Sequence, residues 1–127
     1  MAGHIIQTDK APAAIGPYVQ GRKVGNFIYT SGQIPLVPET MELVGENIEA
    51  QTLQSLKNML AVVEAGGGAM GDIVKTTVFI RDMTHFPRIN AVYAEFFGDH
   101  KPARSCVEVA RLPKDVYIEI ECFAFVG

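Results

Sequence analysis

An arginine and two glutamates between positions 104 and 121 could do chemistry together. Arg104 follows Pro102-Ala103 and opens a run rich in strand formers. Its planar guanidinium can hold a carboxylate through two parallel hydrogen bonds, which orients a ligand and offsets its charge. In an extended segment Arg104, Cys106 and Glu108 share one face, because side chains alternate with a period of two. Position alone favours a surface or ion-pairing arginine over a ligand clamp. Glu119 and Glu121 alternate with Ile118, Ile120 and Cys122, and they share their face with Tyr117, Phe123 and Phe125. A carboxylate in such company must find a partner or hold its proton to a higher pH. Whether Glu119 or Glu121 faces Arg104 depends on strand register, and a slip of one residue reverses the answer.

Tyr18 and Ser31-Gly32 supply further polar groups at strand ends. Ser31 and Gly32 could set a hydroxyl and a backbone N–H at a pocket rim, although a turn-capping serine is commoner. Gly66-Gly67-Gly68 has no Lys-Ser/Thr after it, so it reads as a helix stop rather than a phosphate cradle. No GxSxG elbow is present. His4, His85 and His100 are scattered, and the two cysteines, Cys106 and Cys122, form no CxxC pair. A zinc site and a disulfide framework are both disfavoured, and no metal is expected.

The elements that would carry these residues can be read from periodicity. Tyr18–Lys23 and Phe27–Gln33 flank a Val24-Gly25-Asn26 turn and predict a hairpin. Pro35 and Pro38 interrupt the chain after it. Leu53, Leu56, Leu60 and Val63 recur at helical spacing and predict a helix from Ile48 to Ala65, with Asn47 as cap and Gly66 as stop. Ile73–Arg81 is rich in β-branched residues and predicts a strand. A second helix is predicted over His85–Phe97, capped by Thr84, with Ile89, Val92, Tyr93 and Phe96 as its apolar stripe and Gly98 as its end. Strands follow at Ala103–Ala110 and Val116–Val126, joined by Arg111-Leu112-Pro113-Lys114-Asp115.

The order ββαβαββ predicts an α+β fold, a single-layer mixed sheet with two helices on one face. The last strand is apolar at every even position and carries aromatic residues at several odd ones. A strand of that kind is normally buried on both faces. Two helices cannot cover both, so self-association is expected.

The 127 residues suit one domain over 1–127 with a sizeable core. Hydrophobic residues make up 48% and charged residues 20%, as in ordinary globular proteins. The net charge is −3, and the cations at Arg22, Lys23, Lys75, Arg81, Arg88, Arg111 and Lys114 are dispersed. That pattern argues against nucleic-acid binding. No apolar run would span a bilayer, and Met1–Lys10 lacks the apolar core of a signal peptide. A cytoplasmic protein is expected.

Several blocks in sequence order carry a resemblance. Pro102-Ala103-Arg104-Ser105-Cys106-Val107-Glu108-Val109-Ala110-Arg111-Leu112-Pro113, followed by Ile118-Glu119-Ile120-Glu121, is similar to the signature of the RidA (YjgF) family. Ala13-Ala14-Ile15-Gly16-Pro17-Tyr18, Thr30-Ser31-Gly32-Gln33-Ile34-Pro35 and Asp72-Ile73-Val74-Lys75-Thr76-Thr77-Val78-Phe79 resemble its other blocks. The segment Gly98-Asp99-His100-Lys101 departs from the family, being shorter and more polar than in many relatives. The resemblance implies a chorismate-mutase-like fold, a homotrimer with clefts between subunits, and hydrolysis of 2-imino and 2-enamino acids to 2-keto acids and ammonia without a cofactor. It implies that Arg104 clamps the substrate carboxylate and that Glu119 holds the attacking water. Tyr18, Ser31, Gly32 and Asn90 would line the pocket, and Cys106 would offer backbone contacts rather than a nucleophilic thiol. Three other roles attach to proteins of this kind: a non-catalytic binder or sensor of 2-keto acids, a ribonuclease or translation inhibitor, and a holdase-like chaperone.

Overall fold

The computed structural model describes residues 3–127; Met1 and Ala2, the start of the N-terminal stretch considered above, lie outside the described residues. Strand β1 (His4–Ile6) comes first. β2 (Gly21–Val24) and β3 (Phe27–Thr30) follow, then helix α1 (Ile48–Ala65), β4 (Ile73–Ile80), α2 (Phe86–Phe97), β5 (Ala103–Glu108) and β6 (Ile118–Phe125). The six strands form one mixed sheet in the order β1-β2-β3-β6-β4-β5. Among the described residues only β4 and β5 pair in parallel. The α+β class and the placement of two helices on one face agree with the sequence. β1 is an addition to the expected order. Its three residues are too few to show an alternation, and it forms by pairing with the edge of β2.

The predicted hairpin exists but is shorter. Val24 pairs with Phe27 across Gly25-Asn26. Gly25 takes a φ of 58°, which glycine reaches without a Cβ clash. Tyr18 to Gln20 do not join the sheet. Gln20 is buried instead, and its Nε2 donates to the carbonyls of Thr8, Ala11 and Pro12 while its Oε1 accepts from Thr8 N–H at 2.7 Å. One side chain thus pins the segment that leads to Tyr18.

Helix α1 keeps its predicted bounds and cap, with Asn47 Oδ1 accepting from Ala50 N–H at 2.9 Å. Its buried face differs from the leucine stripe. Leu53 is 37% exposed and Leu60 only partly buried, whereas Gln51, Thr52, Ser55 and Asn58 are inside. The polar residues go inward because loop backbone needs them. Asn58 Nδ2 donates to the carbonyls of Ile34 and Leu36 at 3.1 and 2.9 Å. Gln51 reaches Gly45 O and accepts from Tyr117 N–H. At α2 the expected Thr84 cap is not the one used. A 3₁₀ turn, Met83–His85, precedes the helix, and Asp82 Oδ1 accepts from both the N–H and the hydroxyl of Thr84. Asp82 caps that turn, and α2 itself starts after His85, which makes no side-chain cap bond. Ile89, Tyr93 and Phe97 are the buried residues of α2, and Val92 and Phe96 pack only at its margin.

The core lies between the helices and one sheet face. Ile118, Ile120, Cys122 and Ala124 of β6 point into it together with Ile28, Val78 and Ile80. The alternate residues of β6, Glu119, Glu121, Phe123 and Phe125, stand on the other face beside Phe27 and Tyr29. Phe27 meets Phe125 at a ring separation of 5.0 Å, and Tyr29 meets Phe123 at 5.9 Å.

The Asn58 brace predicts a measurable cost. Asn58→Ala strands two buried carbonyls and should lower stability by about 2–4 kcal/mol. The exposed neighbour Lys57→Ala should stay within about 0.5 kcal/mol. Denaturation midpoints of the two variants would check this.

Candidate functional site

Between β3 and β6 the ladder is interrupted. Tyr29 pairs with Phe123, Cys122 N–H donates to Thr30 Oγ1 at 3.0 Å, and pairing resumes at Gln33 with Ile120. Ser31 and Gly32 therefore stand where the partner strand has only Glu121. The extra residue opens the sheet as a bulge does. A cavity of about 440 Å³ results, lined by Ile15, Tyr18, Ser31, Gly32, Ile34, Pro113, Glu119 and Glu121. Four sequence-predicted residues thus meet in one place, and Glu121 joins them.

Their donors are partly committed. Ser31 Oγ donates to Val19 O at 2.6 Å and Ser31 N–H to Gln20 O at 2.8 Å. Both groups of Ser31 thus fasten the loop at the cavity rim, as a turn-capping serine does. The Tyr18 hydroxyl accepts from Ile15 N–H at 3.2 Å, which holds its ring over the cavity. Gly32 lies so close to Glu119 that a Cβ there would overlap Oε2. Glycine is needed for that approach, because any side chain would displace the carboxylate.

Glu119 is half-buried and, among the described residues, meets no cation. Burial pushes its pKa up, and the neighbouring Glu121 pushes it further. The Cys122 thiol, deep in the core, is pushed up to about 12 by burial. Burial also raises Cys106, against a smaller opposing pull from Arg104. Neither thiol is poised as a nucleophile.

Arg104 lies elsewhere. β5 is separated from β6 by β4, on which Thr76 pairs with both Arg104 and Cys122. Arg104 thus shares the helix-side face with Cys106 and Cys122, and Glu119 occupies the opposite face. Within one chain the two do not meet. Arg104 lines a second cavity, about 320 Å³, with Asn90, Tyr93, Ala94, Phe97, His100, Lys101 and Pro102. Its Nη1 donates to Asn90 Oδ1 at 2.7 Å, and its guanidinium lies over the rings of Phe86 and Tyr93. Among the described residues no carboxylate pairs with it. Cys106 lines neither cavity and packs against the core. His100 Nε2 sits 2.8 Å from Ile73 O, and Lys101 Nζ donates to Gly98 O, so the short polar segment forms one wall of this cavity.

Sequence reasoning missed the role of Phe86 and Tyr93 beside Arg104. The signal was present: Phe86, Asn90 and Tyr93 follow each other at four- and three-residue steps, which puts them on one helical stripe. A larger cavity of about 660 Å³ lies against the N-terminal segment near Thr8, Asp9 and Gln20 and touches the carboxylate cavity at Tyr18. Among the described residues it gathers no cation.

The endoribonuclease L-PSP family model matches residues 8–126. The chain is 61% identical over 122 residues to the 2-iminobutanoate/2-iminopropanoate deaminase of Escherichia coli strain K12, covering 94% of each protein. It superposes on the structure of the YjgF gene product of E. coli with a TM-score of 0.95 at 56% identity, covering 98% of this chain and all (100%) of that one. E. coli TdcF, solved with bound serine, gives a TM-score of 0.94 at 51% identity over 98% of this chain and 99% of that one.

Two outcomes are expected from this geometry. In Gly32→Ala the Glu119 carboxylate should be forced from its place, visible as a displaced side chain in a crystal structure. In Glu121→Gln a negative charge beside Glu119 disappears, ionisation of Glu119 becomes easier, and its titration should move to lower pH. The side-chain carboxyl shift of Glu119, followed by carbon NMR against pH, would report that movement.

Proposed function

The chain belongs to the endoribonuclease L-PSP family, the RidA (YjgF) proteins, and on that premise we propose that it hydrolyses 2-imino acids and their 2-enamino tautomers, such as 2-aminoacrylate and 2-aminocrotonate, to 2-keto acids and ammonia. One observation carries the reading: among the described residues Arg104 has no carboxylate partner and Glu119 no cation, so neither is tied up in an ion pair before a ligand arrives. The name of the E. coli relative gives the substrate class, and the serine bound to TdcF supports a pocket that accepts a small amino-acid-like carboxylate.

In this scheme Arg104 binds the substrate carboxylate. The protonated imine carbon is already electrophilic, so no strong nucleophile and no cofactor enters. Water bonds to that carbon while Glu119 takes its proton, giving a carbinolamine. Glu119 then returns the proton to nitrogen, the C–N bond breaks as the oxygen lone pair forms the keto group, ammonia leaves, and the hydroxyl proton passes to the Glu119 carboxylate and on to solvent. Proton transfer of this kind is worth about 10²–10⁴-fold in rate. A carboxyl whose pKa is raised by burial and by Glu121 is closer to the working pH for both steps. Tyr18, Ser31 and Gly32 shape the pocket around Glu119.

Because Arg104 and Glu119 lie on opposite faces of one sheet, the scheme draws them from two chains. A homotrimer with its sites in the clefts between subunits satisfies this, and it would cover the aromatic face of Phe27, Tyr29, Phe123 and Phe125. Cytoplasmic placement fits substrates released by pyridoxal-phosphate dehydratases. Two carboxylates in the pocket disfavour a phosphodiester substrate by charge.

Arg104→Ala should cut keto-acid release in an assay coupled to a serine or threonine dehydratase by about 100-fold or more, with the assembly still folded. Full activity in that variant would sink the assignment. Mixing unfolded Arg104→Ala and Glu119→Gln chains and refolding them together should restore about a quarter of the sites in a closed ring that shares each site between neighbours. No recovery would place both groups in one chain's own site.

A further inference from the structure

The guanidinium of Arg104 is enclosed without being neutralised. Asn90 Oδ1 takes one of its N–H groups at 2.7 Å. The Tyr93 ring lies beneath it at 4.8 Å and the Phe86 ring at 5.4 Å, both within cation–π range. Each of these partners attracts the cation, yet none carries a charge. A carboxylate in the place of Asn90 would bind Arg104 more tightly and discharge it.

The ring below is itself fastened. Tyr93 Oη and Thr76 Oγ1 are 2.7 Å apart in a buried hydrogen bond. Burial raises the pKa of the Tyr93 hydroxyl, so it stays protonated. Thr76 is the residue that pairs with Arg104 across β4 and β5. A closed circuit therefore runs from Arg104 through the sheet to Thr76, on to the Tyr93 hydroxyl, and back through the Tyr93 ring to the guanidinium. An arginine side chain loses substantial rotamer freedom on fixing. Here that freedom is removed before a ligand arrives, which is how preorganisation raises affinity.

We infer that Asn90 and Tyr93 are positioning residues for Arg104: they hold the guanidinium in place with uncharged contacts, leaving its charge and its other N–H groups for a substrate carboxylate. The inference rests on the reading of Arg104 as the carboxylate clamp. It reassigns Asn90, which acts through the arginine rather than on the substrate.

The test compares Asn90→Asp with Asn90→Ala, using Arg104→Ala as reference. Asparagine and aspartate have the same shape, so a role in packing alone would make Asn90→Asp the milder change. Under the inference it is the harsher one, because the new carboxylate occupies Arg104 and competes with the ligand. Binding of 2-oxobutanoate by calorimetry should weaken about tenfold or more in Asn90→Asp and about threefold in Asn90→Ala. In the coupled assay both should raise KM and largely spare kcat, with thermal midpoints near wild type. Tyr93→Phe keeps the ring but releases the Thr76 tether, and should weaken binding less than Tyr93→Leu, which removes the ring as well. An Asn90→Asp protein that binds as well as Asn90→Ala, while Arg104→Ala has lost binding, would overturn the positioning role alone. Intact binding in Arg104→Ala would overturn the clamp itself and the inference with it.

Discussion

Two helices cover one face of the sheet and leave the other open. β6 feels that asymmetry most directly, because β3 and β4 flank it on both edges. Its even residues are sealed under α1, and its odd residues are delivered to the uncovered side. A strand in that position has no freedom to rotate, so the alternation of Ile118, Glu119, Ile120 and Glu121 becomes an alternation of core and site. Every ionisable group on the odd positions is then held in a fixed place by burial of its neighbours on the even ones. The carboxylate cavity needs little else: one extra residue at Ser31-Gly32 opens the ladder beside Glu119, and a missing Cβ at Gly32 lets the carboxylate in.

The same sheet explains why reactive groups close together in the sequence end up apart in space. β4 lies between the strands that carry them. Parallel pairing with β5 sets Arg104 beside Thr76 on the helix side, and antiparallel pairing with β6 sets Phe79 beside Glu119 on the open side. α2 then decides what surrounds the arginine. Its stripe of Phe86, Asn90 and Tyr93 gives the cation aromatic faces and a neutral acceptor. One sheet therefore carries a pair of carboxylates in a cavity on one face and an arginine without a carboxylate partner, among the described residues, on the other.

Much of this is legible in the sequence, for reasons that also mark where reading stops. The alternation along Ile118–Phe125 announces its two faces, and the caps at Asn47 and Gly66 bound α1, because those signals are local. The inward face of α1 is not local. Leu53 looks like a core residue and Asn58 like a surface one until the loop carbonyls of Ile34 and Leu36 are known to need a donor. The strand His4–Ile6 is invisible because only its partner makes it a strand. The blocks that resemble the RidA (YjgF) family single out Arg104 and Glu119, yet which strand separates them is a matter of topology, which no spacing in the chain reveals.

The arginine is also presented by a strand at the border of the sheet. β5 ends the order, so among the described residues its outer row of backbone amides and carbonyls has no neighbour strand. Such a row is a template on which another extended chain can grow, the usual starting point of aggregation. Several features blunt it. Pro102 stands before the first residue, the strand is six residues long, and Arg104 and Glu108 put charge along it. Val107, 43% exposed, is the weak point. The six residues that carry Arg104 are thus also an edge along which one molecule could be stitched to the next, and the shelf life of the protein depends in part on their staying covered.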